Sequence, residues 1–211
     1  MRMEDLLDLY ELPYDPRYPV ICFDERPCQL LGDRLVPIPM QPGKAYRYDH
    51  QYERKGTCCL LIAVEPLAGF RYGQVRTRRT KVDYAEFMNA LVHLPRYAEV
   101  EQFRLVQDNL NTHTAGAFYQ AFDPEEARQL KQQFAYHYTP TNASWLNMAE
   151  IELAAIATHC LARRIPEQPL LEQETLACIK ERNDQGITIT WRFTTNDARK
   201  KLERHYTSIK N

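Results

Sequence analysis

TCCLLIAVEPLAGFRYGQV, Thr57–Val75, is the stretch on which the reading of the fold turns. Thr57 to Glu65 is the strongest strand signal in the chain, an apolar run closed by an acid. The turn Pro66-Leu67-Ala68-Gly69 reverses direction, and Gly69 to Val75 reads as its hairpin partner. Within the run, Cys58 and Cys59 are adjacent, so on a strand they point to opposite faces and cannot jointly clamp a metal or easily bridge.

Working outward, VICFDE (Val20–Glu25) is a short apolar run ending on an acid and reads as a buried strand. A short amphipathic helix precedes it, with Met3, Leu6, Leu7 and Tyr10 at helical spacing and Pro13, Pro16 and Pro19 as stops. Pro27–Gly43 reads as a Pro-rich loop and Tyr46–Tyr52 as an edge strand. Downstream, Lys81–Tyr97 has the pattern of a helix packed on a sheet. FRLVQDN (Phe103–Asn109) is another strand ending on an acid, Thr112–Phe122 and Pro124–Phe134 are helical, and Phe134–Tyr138 is a short aromatic strand. A largely apolar helix spans Ser144–Arg164, a second spans Leu170–Asn183, and the tail ends in a basic helix with Thr194 or Thr195 as its N-cap. Three strands before the first large helix, then alternation (βββαβαβα), predict one α/β domain: a mixed sheet with helices on both faces.

The 211 residues suffice for one sizeable domain, and 44% hydrophobic with 26% charged residues is the balance of a soluble globular protein. No apolar run approaches the roughly 18–20 residues of a membrane span, and the acidic start MRMEDLLDLYELPYD lacks the apolar core of a secretion signal. The six cysteines include no C-x-x-C pair and read as small core residues in a reducing compartment. The expectation is a cytoplasmic protein. With 27 basic against 28 acidic side chains the net charge is −1, so nucleic acid would have to be held by local patches. Arg71, Arg76, Arg78, Arg79 and Lys81 form one such patch with no acid among them. Arg192, Arg199, Lys200, Lys201 and Arg204 form another, offset by Asp197 and Glu203, and read equally well as a solvated helix face.

Asp24 closes the first strand, Asp108 closes the fourth, and Glu150 lies near the start of the long helix. In α/β sheets, function gathers at the carboxyl ends of strands. If the first and fourth strands are neighbours, the two aspartates converge and the helix brings Glu150 alongside. Each acid alone is ordinarily a turn former. Three carboxylates together repel unless a cation neutralises them, and hard oxygen donors suit Mg²⁺ or Mn²⁺. Two such ions are the usual device for displacement at a phosphodiester. Glu150 is preferred over Glu152 because Asn147, three residues earlier, shares its helix face, whereas the helical neighbours of Glu152 are apolar. Strand alternation turns Asp24 and Glu25 to opposite faces, so only one can point into the site.

Three motifs, VICFDE, VQDNLNTH and HYTPTNASWLNMAEIE, resemble the catalytic motifs of bacterial insertion-sequence transposases of the mariner superfamily, which are DDE endonucleases on an RNase H-like fold. The resemblance runs from about Met3 to Tyr206. It implies an RNase H-like catalytic domain over residues 20–165, a linker helix and entry loop over 1–19, and a C-terminal helical extension over 166–211 packed on the same domain. It also implies a triad of Asp24, Asp108 and Glu150 that binds two Mg²⁺ or Mn²⁺ ions, with Asn109, His113 and Asn147 supporting it. His113 either helps position DNA, orders the loop after Asp108, or caps a helix. Trp145 either stacks on a base or packs at the helix start. The implied activity is nicking at transposon ends to expose 3′-hydroxyls, which then attack target DNA, typically at TA. The implied partners are double-stranded end and target DNA and a second copy of the chain on that DNA, in the bacterial nucleoid. No membrane or nucleotide cofactor enters.

The chain departs from the family pattern at Thr141, Asn142 and Ala143, where Lys-His-Gly is usual, and at Thr114, where Lys is frequent. Family members also carry a helix-turn-helix region ahead of the catalytic domain, and this chain begins at what reads as the last linker helix. The alternatives are a catalytically impaired remnant acting as a DNA-binding or dimerising regulator, and a general RNase H-like nuclease.

Overall fold

Alternate side chains of the central hairpin feed two separate cores. The computed structural model describes residues 2–45, 47–201 and 203. Strand β1 is Val20–Asp33, β2 Tyr52–Glu65, β3 Phe70–Arg76, β4 Phe103–Gln107 and β5 Phe134–Tyr138; they form one sheet in the order β3-β2-β1-β4-β5. β1 pairs antiparallel with β2, and β2 with β3, while β4 runs parallel to both β1 and β5. Helices α1 (Arg2–Tyr10), α5 (Ala149–His159), α6 (Gln168–Asp184) and α7 (Thr195–Lys201) cover one face. There they pack on Cys22, Cys58, Leu60, Ile62 and Val64. Helices α2 (Lys81–Val92), α3 (Phe118–Ala121) and α4 (Pro124–Gln132) cover the other, against Ile21, Phe23, Cys59, Leu61 and Ala63. The sheet is therefore mixed with helices on both faces, as the sequence predicts.

Several boundaries differ from the sequence reading. The segment read as a Pro-rich loop is largely strand, because β1 runs through Pro27 to Asp33 on β2. Pro27 is tolerated there because β4 pairs only with Val20–Cys22, leaving the outer edge of β1 open beyond that point. The expected edge strand 46–52 is replaced by an isolated bridge, Ile38 to Arg47, and Tyr46 lies outside the described residues. α2 stops at Val92 because Pro95 holds Leu94 extended, and one 3-10 turn, Pro95–Tyr97, follows. The helix expected over 112–122 is a 3-10 turn, Ala115–Ala117, and the short α3. The helix expected from Ser144 is a 3-10 turn, an extended Asn147, and then α5. Thr194, not Thr195, caps α7: its hydroxyl accepts from Asp197 N at 3.2 Å while the Asp197 carboxylate accepts from Thr194 N at 3.1 Å. Arg204 and Tyr206 lie outside the described residues.

Cys22, Cys28, Cys58 and Cys59 are buried free thiols. Cys160 and Cys178, also read as unpaired, are instead joined, tying the end of α5 to α6. Packing of the two helices brings together residues that sequence spacing leaves apart. At the turn between β2 and β3, Gly69 has φ +65, and a Cβ there would lie 2.9 Å from the backbone of Gly186. Gly69→Ala is expected to destabilise the fold by about 1–3 kcal/mol, through backbone strain and that clash. A lower urea midpoint at unchanged slope is the check.

Candidate active site

β1 and β4 are parallel neighbours, with Val20, Ile21 and Cys22 beside Arg104, Leu105 and Val106. Continued two residues further, that register brings Asp24 level with Asp108, which follows the last residue of β4. Asp24 does not close its strand as expected: it lies inside β1, just past the point where pairing with β4 stops, because β1 continues on β2 to Asp33. The protein engages both oxygens of Asp24 but only one of Asp108. Asp24 Oδ1 accepts from Glu25 N at 2.8 Å, and Asn147 Nδ2 stands 3.5 Å from Oδ2. Asp108 Oδ1 accepts from Leu110 N at 3.2 Å and lies 2.5 Å from His113 Nδ1. His113 therefore orders the loop after Asp108 and caps no helix. Asn109 is exposed beside it.

Asn147 breaks the helix so that α5 starts where it does. Its Nδ2 donates to Phe23 O at 2.8 Å and its Oδ1 accepts from Ala149 N at 3.2 Å, so the amide ties the start of α5 to β1 at Phe23. The expectation that Asn147 supports Glu150 is corrected: it supports Asp24. Glu150 is exposed on the first turn of α5. The buried acid of that helix is Glu152, fully enclosed and held by Arg71 of β3 and Arg182 of α6. The argument that Glu152 lacks polar support fails because both partners come from other elements.

The same ion pair corrects the DNA patch. Arg71 is 1% exposed, donates to Gly69 O at 2.8 Å and faces Glu152 at 3.0 Å, so it cannot reach a phosphate. Arg76 donates to Glu86 and Gln74. Arg79 pairs with Glu25 at 3.1 Å, Arg78 is exposed and Lys81 half-buried. Trp145 stacks on Trp191, ring centres 6.2 Å apart, and remains 48% exposed.

Electrostatics single out Asp24. Burial is the main cause that pushes its carboxyl up, to about 7; the negative charges of Glu150 and Asp108 push the same way, against the Glu25 amide and His113. Asp24 thus lies close enough to feel both of the other acids. Burial pushes His113 down, but Asp108 and Glu25 outweigh it and hold the imidazolium up to about 9. A carboxyl raised from 3.8 to about 7 stabilises the fold below about pH 4 and loses that contribution as pH rises through 7. In metal-free protein the melting temperature of Asp24→Asn should therefore gain on that of the wild type between pH 5 and pH 8. Calorimetry across that range is the check, and parallel curves would contradict the burial of this charge.

Among the described residues, no group of three or more His, Cys, Asp or Glu side chains is placed to hold a metal ion by itself. The carboxylates of Asp24 and Asp108, on neighbouring strands, and of Glu150, on α5, are hard oxygen donors. That suits Mg²⁺ or Mn²⁺, which take one or two carboxylates and fill the rest of the shell with water and phosphate oxygens. The contact absent from the sequence reading is that of Glu25 with His113. The Glu25 side chain is only 5% exposed, with His113 Nε2 3.5 Å away; alternation places Glu25 on the far face but gives no sign that the loop after Asp108 returns there.

A mixed five-stranded sheet in this order, with helices on both faces, is an RNase H-like fold. The family model for DDE superfamily endonucleases matches residues 19–172, and the chain belongs to that family. Similar solved structures include the Mos1 mariner paired end complex with Mn, at TM-score 0.59 and 16% identity over 88% of this chain and 56% of that one. The Mos1 transposase paired-end complex with left transposon end gives 0.57 and 14%, over 88% and 57%. The Mos1 Strand Transfer Complex gives 0.54 and 15%, over 88% and 58%. At these identities the likeness is one of fold, and the chain spans little more than half the length of those proteins. Comparison with curated protein sequences returned no match. No described helix is long and apolar enough to cross a membrane.

Proposed function

We propose that this chain is the catalytic domain of a transposase, cutting DNA at the ends of a mobile element and joining the exposed 3′-hydroxyls to a target. The observation that carries the reading is the pairing of β1 with β4, which levels Asp24 with Asp108 beneath the start of α5 and Glu150. These three would hold two divalent ions, which activate the attacking oxygen and steady the leaving one.

The chain's own residues do the rest. Asn147 fixes Asp24 against α5, and His113 with Leu110 N holds one oxygen of Asp108, leaving the other for a ligand. Arg78, with Arg76, Arg79 and Lys81 once their present contacts are exchanged, supplies cations for the DNA backbone. The open face of Trp145 offers a surface for a base. Double-stranded DNA, as ends and target, is the partner, and two copies of the chain assemble on it. Helices α6 and α7 serve as an extension of the domain.

The test supplies Mg²⁺, duplex bearing the element's terminal repeats and, in trans, the helix-turn-helix region implied by the resemblance. Nicks ending in 3′-hydroxyls, followed by joined products, are expected. Preferred cleavage of RNA–DNA hybrid over duplex DNA would instead favour a general RNase H-like nuclease.

A further inference from the structure

We propose that Glu25 is a positioning residue of the metal site, acting on Asp108 through the buried ring of His113; this rests on reading Asp24, Asp108 and Glu150 as cation ligands. Glu25 follows Asp24 but is turned by strand alternation to the opposite face of the sheet, that of Phe23. The loop after β4 carries His113 back to the same face. Its ring lies edge-on to Phe23, centres 5.1 Å apart, and tilted against Tyr84 at 5.2 Å. The ring is fully enclosed, and its two nitrogens face two acids: Nδ1 is 2.5 Å from Asp108 Oδ1 and Nε2 is 3.5 Å from Glu25 Oε2.

Neither acid is accidental there. No hydrogen bond satisfies Nε2 among the described residues, so the Glu25 carboxylate is the charge that meets it. Arg79 takes the other Glu25 oxygen at 3.1 Å, but Arg79 is 55% exposed, and an ion pair that open to water is worth little. Arg79 alone does not account for a carboxylate held at 5% exposure. The loop backbone is pinned independently, since Gln107 donates through Nε2 to His113 O at 2.8 Å, while its Oε1 accepts from the Tyr84 hydroxyl at 2.8 Å. What Glu25 adds is the attitude of the imidazole. That in turn holds Asp108 by Oδ1 and leaves Oδ2 for a cation. Groups that orient a ligating carboxylate typically contribute about 10–100-fold to metal affinity.

The test is Mn²⁺ alone, titrated into the full chain and followed by electron paramagnetic resonance, with melting temperatures alongside. Glu25→Gln should weaken Mn²⁺ about tenfold without unfolding the chain, and His113→Asn should do the same. Because Glu25 works through the ring, the double variant should bind no more weakly than His113→Asn alone. Wild-type affinity in Glu25→Gln, or losses that multiply in the double variant, would overturn the proposal while leaving the metal site in place. A wild-type chain that binds no Mn²⁺ would overturn the metal site itself. If Glu25→Gln does not fold, Glu25→Asp serves: it keeps the charge but withdraws it by one methylene, and unchanged Mn²⁺ affinity there would also overturn the proposal.

Discussion

Asp108→Asn is expected to slow DNA nicking by about 10³-fold or more while leaving the melting temperature within about 2 °C. The amide keeps Oδ1 for His113 and Leu110 N, so the loop after β4 stays in place. It replaces the free oxygen by an NH₂ group that repels a cation. A divalent ion at a phosphodiester supplies several kcal/mol of transition-state stabilisation, and about 4 kcal/mol corresponds to roughly 10³ in rate. Quantified nicking of end-bearing duplex in Mg²⁺ decides it. A variant retaining a tenth of the wild-type rate would remove Asp108 from the catalytic set.

Glu152→Ala is expected to act in the opposite sense, on the fold. Arg71 and Glu152 have fully buried side chains and Arg182 is 18% exposed, so removing the one carboxylate leaves two guanidinium groups in the interior without a counter-charge. Breaking a buried pair from one side costs about 3–5 kcal/mol. For a chain of this length that is a fall of roughly 10 °C in melting temperature. Glu150→Gln, two residues away and exposed, should leave the melting temperature unchanged and abolish nicking. A thermally silent Glu152→Ala would refute the account of this cluster.

The pair also shows what was legible in the sequence. Strand alternation foretold that Cys58 and Cys59 serve different faces, and the apolar runs beside Asp24 and Asp108 foretold β1 and β4. Both are local patterns that survive into the fold. Glu152 was misread because its arginines arrive from β3 and α6, contacts that no helical spacing encodes. Arg71 was misread for the same reason, as a member of a basic run whose strand happens to bury it. Asn147 looked like a helical residue. In the structure it leaves the helix to bond Phe23 O across the sheet edge, so its service goes to Asp24. Proline was over-weighted as a strand stop, because Pro27 sits where β1 has a free edge.

Anomalous scattering from crystals soaked in Mn²⁺ tests the central claim most directly. A peak within about 2.0–2.3 Å of carboxylate oxygens of both Asp24 and Asp108 is expected, with Asp108 contributing Oδ2. Manganese bound elsewhere, with these two side chains bare, would contradict it.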